Sequence, residues 1–215
     1  MNEVVFLLDV DNTLLDNDAV IADLRQQLLD RFGESCDRRY WQLFEELRAE
    51  LGYADYLGAL QRYRIEWPRE PRVVEIGLFL LDYPFERRVY PGALDAVASV
   101  ARRGPVVVLS DGDVVFQPRK VQRSGLWAAV EGRVLIYVHK EEMLDDVEQR
   151  YPARRYVMVD DKVRILAAMK AIWRDRLTTV FVRQGHYAND ASVVSRYPPA
   201  DIAIDRIADL AAVNF

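Results

Sequence analysis

Short apolar runs recur along the chain, and within each run the apolar residues are continuous rather than alternating with polar ones. Continuous runs of about four to eight residues are typical of strands buried on both faces of a parallel sheet. Between most of them, apolar residues recur at helical spacing, as at Leu94, Val97 and Ala101. Alternating strands and helices predict an α/β fold with a mostly parallel sheet. The predicted strands are residues 4–8, 106–109, 134–138, 156–159, 179–182 and 202–204.

The segment 17–86 interrupts this alternation, because it reads as helices without a convincing strand. Leu24, Leu28 and Phe32 form one apolar stripe, and Gly33 follows as a plausible helix C-cap. The segment is too long for a simple strand-to-helix connection in a compact domain. We therefore predict a helical subdomain at 17–86, inserted into a core formed by residues 1–16 and 87–215.

Composition excludes several classes of protein. The 215 residues carry a net charge of -5, and the arginine pairs are scattered among acids, so we expect no nucleic-acid partner. Cys36 is the one cysteine, which excludes an intrachain disulfide and suits a reducing compartment. Apolar runs stay far below the roughly 18 residues of a membrane helix. We expect a soluble cytoplasmic protein without membrane partners; its oligomeric state is left open.

Two carboxylates and a hydroxyl follow the first predicted strand. The sequence there reads Asp9-Val10-Asp11-Asn12-Thr13. Like charges two residues apart share one face of an extended chain and repel unless a cation lies between them or one is protonated. Carboxylate oxygens suit Mg²⁺, whose remaining positions are filled by water and phosphate. The alternative is a simple turn, in which Asp and Asn are common.

Three further strand ends carry polar groups. Ser110 and Asp111 follow the second strand, Lys140 the third, and Asp160-Asp161 the fourth. Each has an ordinary explanation as a turn, a solvated lysine or a helix N-cap. Ligands of parallel sheets bind at the carboxyl ends of the strands, so these groups are expected to converge. Acids, a hydroxyl and a lysine around one point are what phosphoryl transfer requires.

In this order and spacing the residues resemble the motifs of the haloacid dehalogenase-like (HAD) superfamily. The stretch from Asp9 to Thr13 matches the Asp-x-Asp-x-Thr pattern of the first motif. Ser110 resembles the second motif, Lys140 the third and Asp160-Asp161 the fourth, while the insert at 17–86 resembles a type 1 cap. The resemblance spans nearly the whole chain and implies a Rossmann-like hydrolase core with a helical cap.

The resemblance also implies catalytic roles. Asp9 would attack phosphorus and form an aspartyl-phosphate, as carboxylate nucleophiles do. Asp11 would protonate the leaving group and then deprotonate the hydrolytic water. Thr13 would support the loop that positions both acids. Members that cleave carbon–halogen bonds lack the second aspartate and need no Mg²⁺, so Asp11 favours phosphate chemistry.

The resemblance also implies which residues bind the metal ion and which bind the phosphoryl group. Mg²⁺ would be bound by Asp9, by the main-chain carbonyl of Asp11 and by Asp160, with Asp161 assisting directly or through water. The transferring phosphoryl group would be held by Ser110, Lys140 and the segment that includes Asp111, which stands where many relatives have asparagine. Lys120 is a rival for the third-motif lysine, although it lies in a predicted helix rather than after a strand.

The sequence thus predicts a Mg²⁺-dependent phosphatase acting on a small phosphorylated metabolite. A sugar-phosphate phosphomutase using the same residues is the alternative enzyme, and a catalytically retired binding or regulatory protein is the alternative outside enzymes. His139 and His186 are not expected to be catalytic, since Asp11 supplies acid–base function. A cluster of aromatic residues in the insert is interpreted mainly as a small core and secondarily as a substrate-facing surface: Trp41, Tyr53, Tyr56, Tyr63 and Trp67.

Overall fold

The computed structural model describes residues 2–215 and contains one six-stranded sheet in which all paired strands run parallel. The α/β fold predicted from the sequence is confirmed, and each of the six apolar runs forms a strand. The strands are β1 (Asn2–Leu8), β2 (Val106–Asp111), β3 (Val134–Tyr137), β4 (Ala153–Asp160), β5 (Leu177–Val182) and β6 (Ile202–Ile204).

Helices occupy most of the remaining chain. Four of them fall in the segment that the sequence predicts to be helical: α1 (Asn17–Phe32), α2 (Glu34–Leu51), α3 (Tyr56–Glu66) and α4 (Val73–Asp82). The others are α5 (Ala93–Ala101), α6 (Phe116–Arg123), α7 (Leu126–Ala129), α8 (Leu144–Arg150), α9 (Val163–Trp173), α10 (Gly185–Asn189) and α11 (Ala191–Val194). Short 3₁₀ helices lie at Phe85–Arg88, Lys140–Glu142, Arg174–Arg176 and Ile207–Ala212. No helix in residues 2–215 has the length and apolar character to cross a membrane.

The sheet is buried on both faces, which explains the continuous apolar runs. Successive side chains of β1 point to opposite faces. Phe6 and Leu8 belong to one apolar cluster, whereas Val5 and Leu7 belong to another on the far side. Because both faces are covered, a polar residue within such a strand needs a hydrogen-bond partner, as Thr179 of β5 has in Asp201, and the charged residues lie near the strand ends.

Helices α1–α4 pack on one side of the sheet through the larger apolar cluster. Tyr40 and Tyr56 of this segment are buried in that cluster, and the Tyr56 ring contacts Phe116 of α6 edge-on at 5.4 Å between centroids. Gly33 ends α1 with a positive φ of 82°, and its amide donates to Leu29 O. The division of the chain into a core and a helical subdomain at 17–86 remains a prediction.

Strand order places four of the polar strand ends side by side. The order is β3-β2-β1-β4-β5-β6, so β1 lies between β2 and β4. Asp9 therefore follows a central strand, with Ser110 on one side and Asp160 on the other. Lys140 lies farther from its strand than the sequence predicts, because β3 ends at Tyr137 and the chain bends before a 3₁₀ turn begins at Lys140.

Candidate active site

Asp9 lies at the end of β1 and is almost fully buried, with 3% of its surface exposed. One carboxylate oxygen accepts from the Thr13 hydroxyl at 3.2 Å. The other lies 2.5 Å from Lys140 Nζ and 3.5 Å from Ser110 Oγ. A buried carboxylate is stable only when it is paired and hydrogen-bonded, and these three contacts provide that pairing.

A tight loop after Asp9 determines where the second acid lies. The carbonyl of Val10 accepts from the amides of Leu14 and Leu15 at 2.9 Å each. Asn12 adopts a left-handed φ of 61°, which Asn tolerates better than most residues. Its side-chain oxygen accepts from the amides of Asn17 and Asp18 and so ties the loop to the start of α1. The loop is thus fixed at both ends.

Lys140 is the lysine that contacts Asp9. Only 1% of its side chain is exposed, and Nζ pairs with Asp9 at 2.5 Å and with Asp160 at 2.7 Å. Burial alone would lower the pKa of Lys140, but Asp160, Asp9 and Asp111 raise it well above its usual range. The Lys140 amide also donates to the Asp111 carboxylate at 2.8 Å, which holds the turn against β2. Lys140 is therefore charged at neutral pH.

Asp9, Asp160 and Asp161 form a buried cluster whose carboxylate oxygens lie within 4.8 Å of one another. Burial raises the pKa of Asp160 to about 6, and burial together with the nearby Asp160 raises that of Asp161 well above its usual range. Both oxygens of Asp161 are buried without a hydrogen-bond partner in the described residues. Its amide donates to Thr13 Oγ1 at 3.0 Å. Orphaned, crowded oxygens of this kind suit a divalent cation.

Asp11 has different partners from Asp9. Its carboxylate pairs with Lys120 Nζ at 2.7 Å, and a quarter of its side chain remains exposed. Lys120 is fully buried and also donates to Asn17 Oδ1 at 2.9 Å. The two lysines that compete in the sequence for one role are thus separated by the structure. Lys140 lies at Asp9, and Lys120 lies at Asp11 in the middle of α6 rather than near its N-terminus.

Gln117 joins the two halves of the site. Its Nε2 donates to Ser110 Oγ at 3.0 Å and lies 3.4 Å from Asp11 Oδ2. Ser110 is itself buried, with 1% exposed. Gln117 is not among the residues predicted from the sequence, although it precedes Lys120 by three residues and so lies on the same face of α6. That spacing is the signal that could have identified both residues as a pair.

A cavity of about 730 Å³ opens above these groups. Three acidic residues border the cavity: Asp11, Asp111 and Asp161. Helices α1–α3 form part of its wall. A volume of this size is typical of a small-molecule site. The sequence allowed two interpretations of the aromatic residues in the 17–86 segment, a small core or a surface facing the substrate, and these residues form two groups. Tyr63 stacks on Trp67 away from the cavity, whereas four others border it: Trp41, Phe44, Tyr53 and Tyr56.

Neither histidine contacts the two catalytic candidates. His186 Nδ1 lies 2.6 Å from Asp18 Oδ1, and its amide donates to the other oxygen of Asp18. His139 precedes Lys140, and its ring lies against Gly52 of the loop after α2. That neither histidine is catalytic remains a prediction.

Sequence and structure comparisons identify the family. The sequence profile described as haloacid dehalogenase-like hydrolase matches residues 4–172. The chain belongs to this family. A protein from Burkholderia xenovorans LB400, described as a haloacid dehalogenase-like hydrolase, is 63% identical over 100% of both chains, with a TM-score of 0.96. A search among curated proteins gives no match.

More distant HAD structures share the fold. L-2-haloacid dehalogenase from Xanthobacter autotrophicus, with chloropropionic acid covalently bound, is 18% identical over 99% of this chain and 98% of its own, with a TM-score of 0.65. The HAD hydrolase YfnB from Bacillus subtilis, bound to magnesium, is 16% identical over 98% of this chain and 97% of its own, with a TM-score of 0.64. At this identity they establish a common fold, and the HAD-like hydrolase assignment rests on the family match and the Burkholderia protein.

Proposed function

We propose that this HAD-like hydrolase is a Mg²⁺-dependent phosphatase that hydrolyses the phosphomonoester of a small metabolite. The observation that carries the proposal is the ion pair between Asp11 and the buried Lys120, which places a second carboxylate at the cavity, two residues after the proposed nucleophile. A halide leaves as an anion and needs no proton, whereas an alkoxide leaving group does. An acid at this position therefore favours ester cleavage over dehalogenation.

In the first step Asp9 attacks phosphorus. A bond forms between a carboxylate oxygen of Asp9 and phosphorus, and the bond from phosphorus to the ester oxygen breaks. The electron pair goes to the leaving oxygen, which takes a proton from Asp11. The product alcohol then departs and an aspartyl-phosphate remains.

In the second step Asp11 acts as a base. It removes a proton from water, whose oxygen attacks phosphorus and displaces the Asp9 carboxylate. Inorganic phosphate is released, and both aspartates return to their starting state. Ser110 and Lys140 lie within 3.5 Å of Asp9 and would hold the oxygens of the transferring group in both steps.

Asp9, Asp160 and Asp161 would hold the magnesium ion, together with the main-chain carbonyl of Asp11. When bound, Mg²⁺ offsets the repulsion between the nucleophile and the anionic phosphate. Thr13 contributes to this arrangement because its hydroxyl bridges the Asp9 carboxylate and the Asp161 amide. The cytoplasm, which is reducing, would suit a chain with a single, buried cysteine.

Hydrolysis of p-nitrophenyl phosphate tests the proposal. We expect activity with Mg²⁺, loss of activity with EDTA, and no detectable turnover for Asp9→Asn. Asp11→Asn should be folded by circular dichroism but slower by about 10²–10⁴-fold. Equal rates in all these samples would refute the proposal. Release of chloride from 2-chloropropionate, with no phosphatase activity, would instead assign a dehalogenase.

A phosphomutase that uses the same residues is separated by the fate of the phosphoryl group. A phosphatase should incorporate one oxygen from ¹⁸O-labelled water into each phosphate released. A mutase would return an isomeric sugar phosphate without label. Absence of both reactions across a panel of metabolite phosphates would favour a binding protein on the same fold.

A further inference from the structure

Lys162 and Arg48 place two cations at the cavity that the proposed reaction does not use. Lys162 is contributed by the turn between β4 and α9, and Arg48 by α2. Both contact one aromatic ring: Lys162 Nζ lies 5.1 Å from the centroid of Tyr187, and the guanidinium of Arg48 lies 5.7 Å from it. Arg48 also donates to the Tyr187 hydroxyl. Tyr187 thus contacts two cations at one part of the cavity: Lys162 from the turn after β4 and Arg48 from helix α2.

Of the two cations, Lys162 has fewer polar contacts with other side chains. Within residues 2–215 its ammonium forms no hydrogen bond or ion pair with another side chain, and its polar contact is the face of Tyr187. Arg164, which also borders the cavity, is by contrast held by Glu141 at 2.6 Å. Lys162 is therefore a cation at the cavity that no side chain of the described residues holds in place.

Charge balance indicates what that partner is. The four carboxylates of the proposed mechanism are those of Asp9, Asp11, Asp160 and Asp161. A bound divalent cation together with Lys120 and Lys140 balances them. Asp111, a further carboxylate that borders the cavity, accepts from the Lys140 amide at 2.8 Å, which leaves the positive charge of Lys162 available to the substrate. Arg48 has one carboxylate nearby, Glu45 at 3.7 Å, which is largely exposed and so contributes little.

We propose that Lys162 and Arg48 form a subsite for a second anionic group on the leaving side of the substrate. The substrate would then be a phosphomonoester whose alcohol carries a carboxylate or a further phosphate. Trp41, Phe44 and Tyr53 give the same cavity an aromatic wall that can pack against the intervening carbon skeleton. This inference rests on the proposed phosphatase function and narrows its substrate class.

Three aryl phosphates that differ at one position test the subsite. Phenyl phosphate has no second anion, 4-carboxyphenyl phosphate has a carboxylate, and benzene-1,4-diyl bisphosphate has a second phosphate. We expect kcat/KM for one or both charged esters to exceed that for phenyl phosphate by about tenfold or more, as charge-assisted hydrogen bonds allow. The charged ester that is preferred identifies the second anion.

Lys162→Gln and Arg48→Gln should each remove this preference by raising KM for the charged ester about tenfold, with phenyl phosphate changed less than about threefold. Arg38→Gln is the matched control, because Arg38 lies on α2 with Arg48 but is exposed and does not border the cavity. Equal losses for all three esters would overturn the subsite and place Lys162 at the transferring phosphoryl group instead.

A binding measurement separates failure of the subsite from failure of the phosphatase proposal. Asp9→Asn should bind 4-carboxyphenyl phosphate or the bisphosphate more tightly than phenyl phosphate in titration calorimetry with Mg²⁺. Adding Lys162→Gln to Asp9→Asn should equalise the affinities. Equal affinities in Asp9→Asn itself would overturn the subsite, even if the parent hydrolyses all three esters. Unequal affinities without hydrolysis would retain the subsite and refute the phosphatase.

Discussion

Asp9 and Asp11 are two residues apart, and their surroundings come from different parts of the molecule. Asp9 is held by Lys140 and Ser110, each of which follows or ends a strand. Asp11 is held by Lys120 of α6, which in turn donates to Asn17 at the start of α1. Asn17 Nδ2 donates to Tyr56 Oη of α3 at 3.3 Å.

The two residues to which the proposed mechanism gives the main roles, Asp9 and Asp11, are therefore positioned by different parts of the molecule. Asp9, the proposed nucleophile, is fixed by the sheet, whose strands pair along their length and leave little freedom at their ends. Asp11, the proposed acid–base residue, is fixed by side chains of three helices, two of which lie in the 17–86 segment. A change in how α1 and α3 pack would therefore move Asp11 and leave Asp9 where it is.

Replacing Lys140 should have the largest effect. Lys140→Met leaves Asp9 and Asp160 buried without their shared cation, so we expect no detectable turnover. In metal-free protein we expect the free energy of unfolding to fall by about 3–5 kcal/mol. Urea unfolding of the parent and the variant, with and without Mg²⁺, measures the loss. Unchanged stability would mean that the pairing of Lys140 with the two carboxylates contributes nothing to the fold.

Replacing Lys120 should affect Asp11 and leave the contacts of Asp9 unchanged. Lys120→Met is expected to lower kcat for p-nitrophenyl phosphate by about 10²-fold, because Asp11 is no longer held for proton transfer. KM and the increase in melting temperature on adding Mg²⁺ should stay as in the parent. Lys120→Gln, which can still donate to Asp11, should recover part of the rate. If Met and Gln are equally active, Lys120 does not position Asp11.

The carboxylate cluster predicts an unusual dependence of stability on pH. The pKa of Asp160 is about 6 in the folded protein, against about 3.9 for an unfolded aspartate. Between these values the folded state binds more protons, so the free energy of unfolding of metal-free protein should fall by about 1–3 kcal/mol as pH rises from 4 through 6. The raised pKa of Lys140 does not contribute here, since lysine stays protonated in both states.

Asp160→Asn is the control for this prediction, because it removes one of the two carboxyl groups whose pKa is raised and should make the curve less steep than that of the parent. Excess Mg²⁺ should stabilise the parent more at pH 7.5 than at pH 5, since the ion binds the deprotonated carboxylates. Thermal melting across this range measures both effects. Parent and variant curves that stay parallel would show that Asp160 ionises normally.

The smallest effect is expected at Tyr56. Tyr56→Phe removes the hydroxyl that accepts from Asn17 and keeps the ring that packs on Phe116. We expect kcat to fall about two- to fivefold with little change in stability, because Asn17 keeps its bond to Lys120. Steady-state kinetics against Lys120→Met decides whether helix α3 influences Asp11. A rate identical to that of the parent would limit the network to α1 and α6.

The sheet and the nucleophile side of the site could be predicted from the sequence for a common reason. A strand buried on both faces must be apolar, so the first polar residue after it marks the end of the strand. In a parallel sheet these ends lie together, and Asp9, Ser110 and Asp160 each stand at or directly after such an end. For these three residues the local sequence pattern is enough to predict where they lie in the fold.

The acid–base side could not be predicted in the same way. Lys120 and Gln117 lie within an amphipathic helix, where polar residues normally face water, and nothing local indicates that these two are buried. Asn17 reads as an ordinary helix start. Tyr187 contacts Arg48, which is 139 residues away, and no pattern within either helix predicts that pairing. Such contacts depend on how helices pack against each other, which hydrophobic periodicity does not specify.

Gly185 ties a late part of the chain to the nucleophile loop. Its φ is +71°, and a Cβ added there would lie 2.4 Å from the Cβ of Asn12. The position of the loop that carries Asp9 and Asp11 therefore depends on a residue far along the chain. Any side chain larger than hydrogen at position 185 would displace either this loop or the turn after β5.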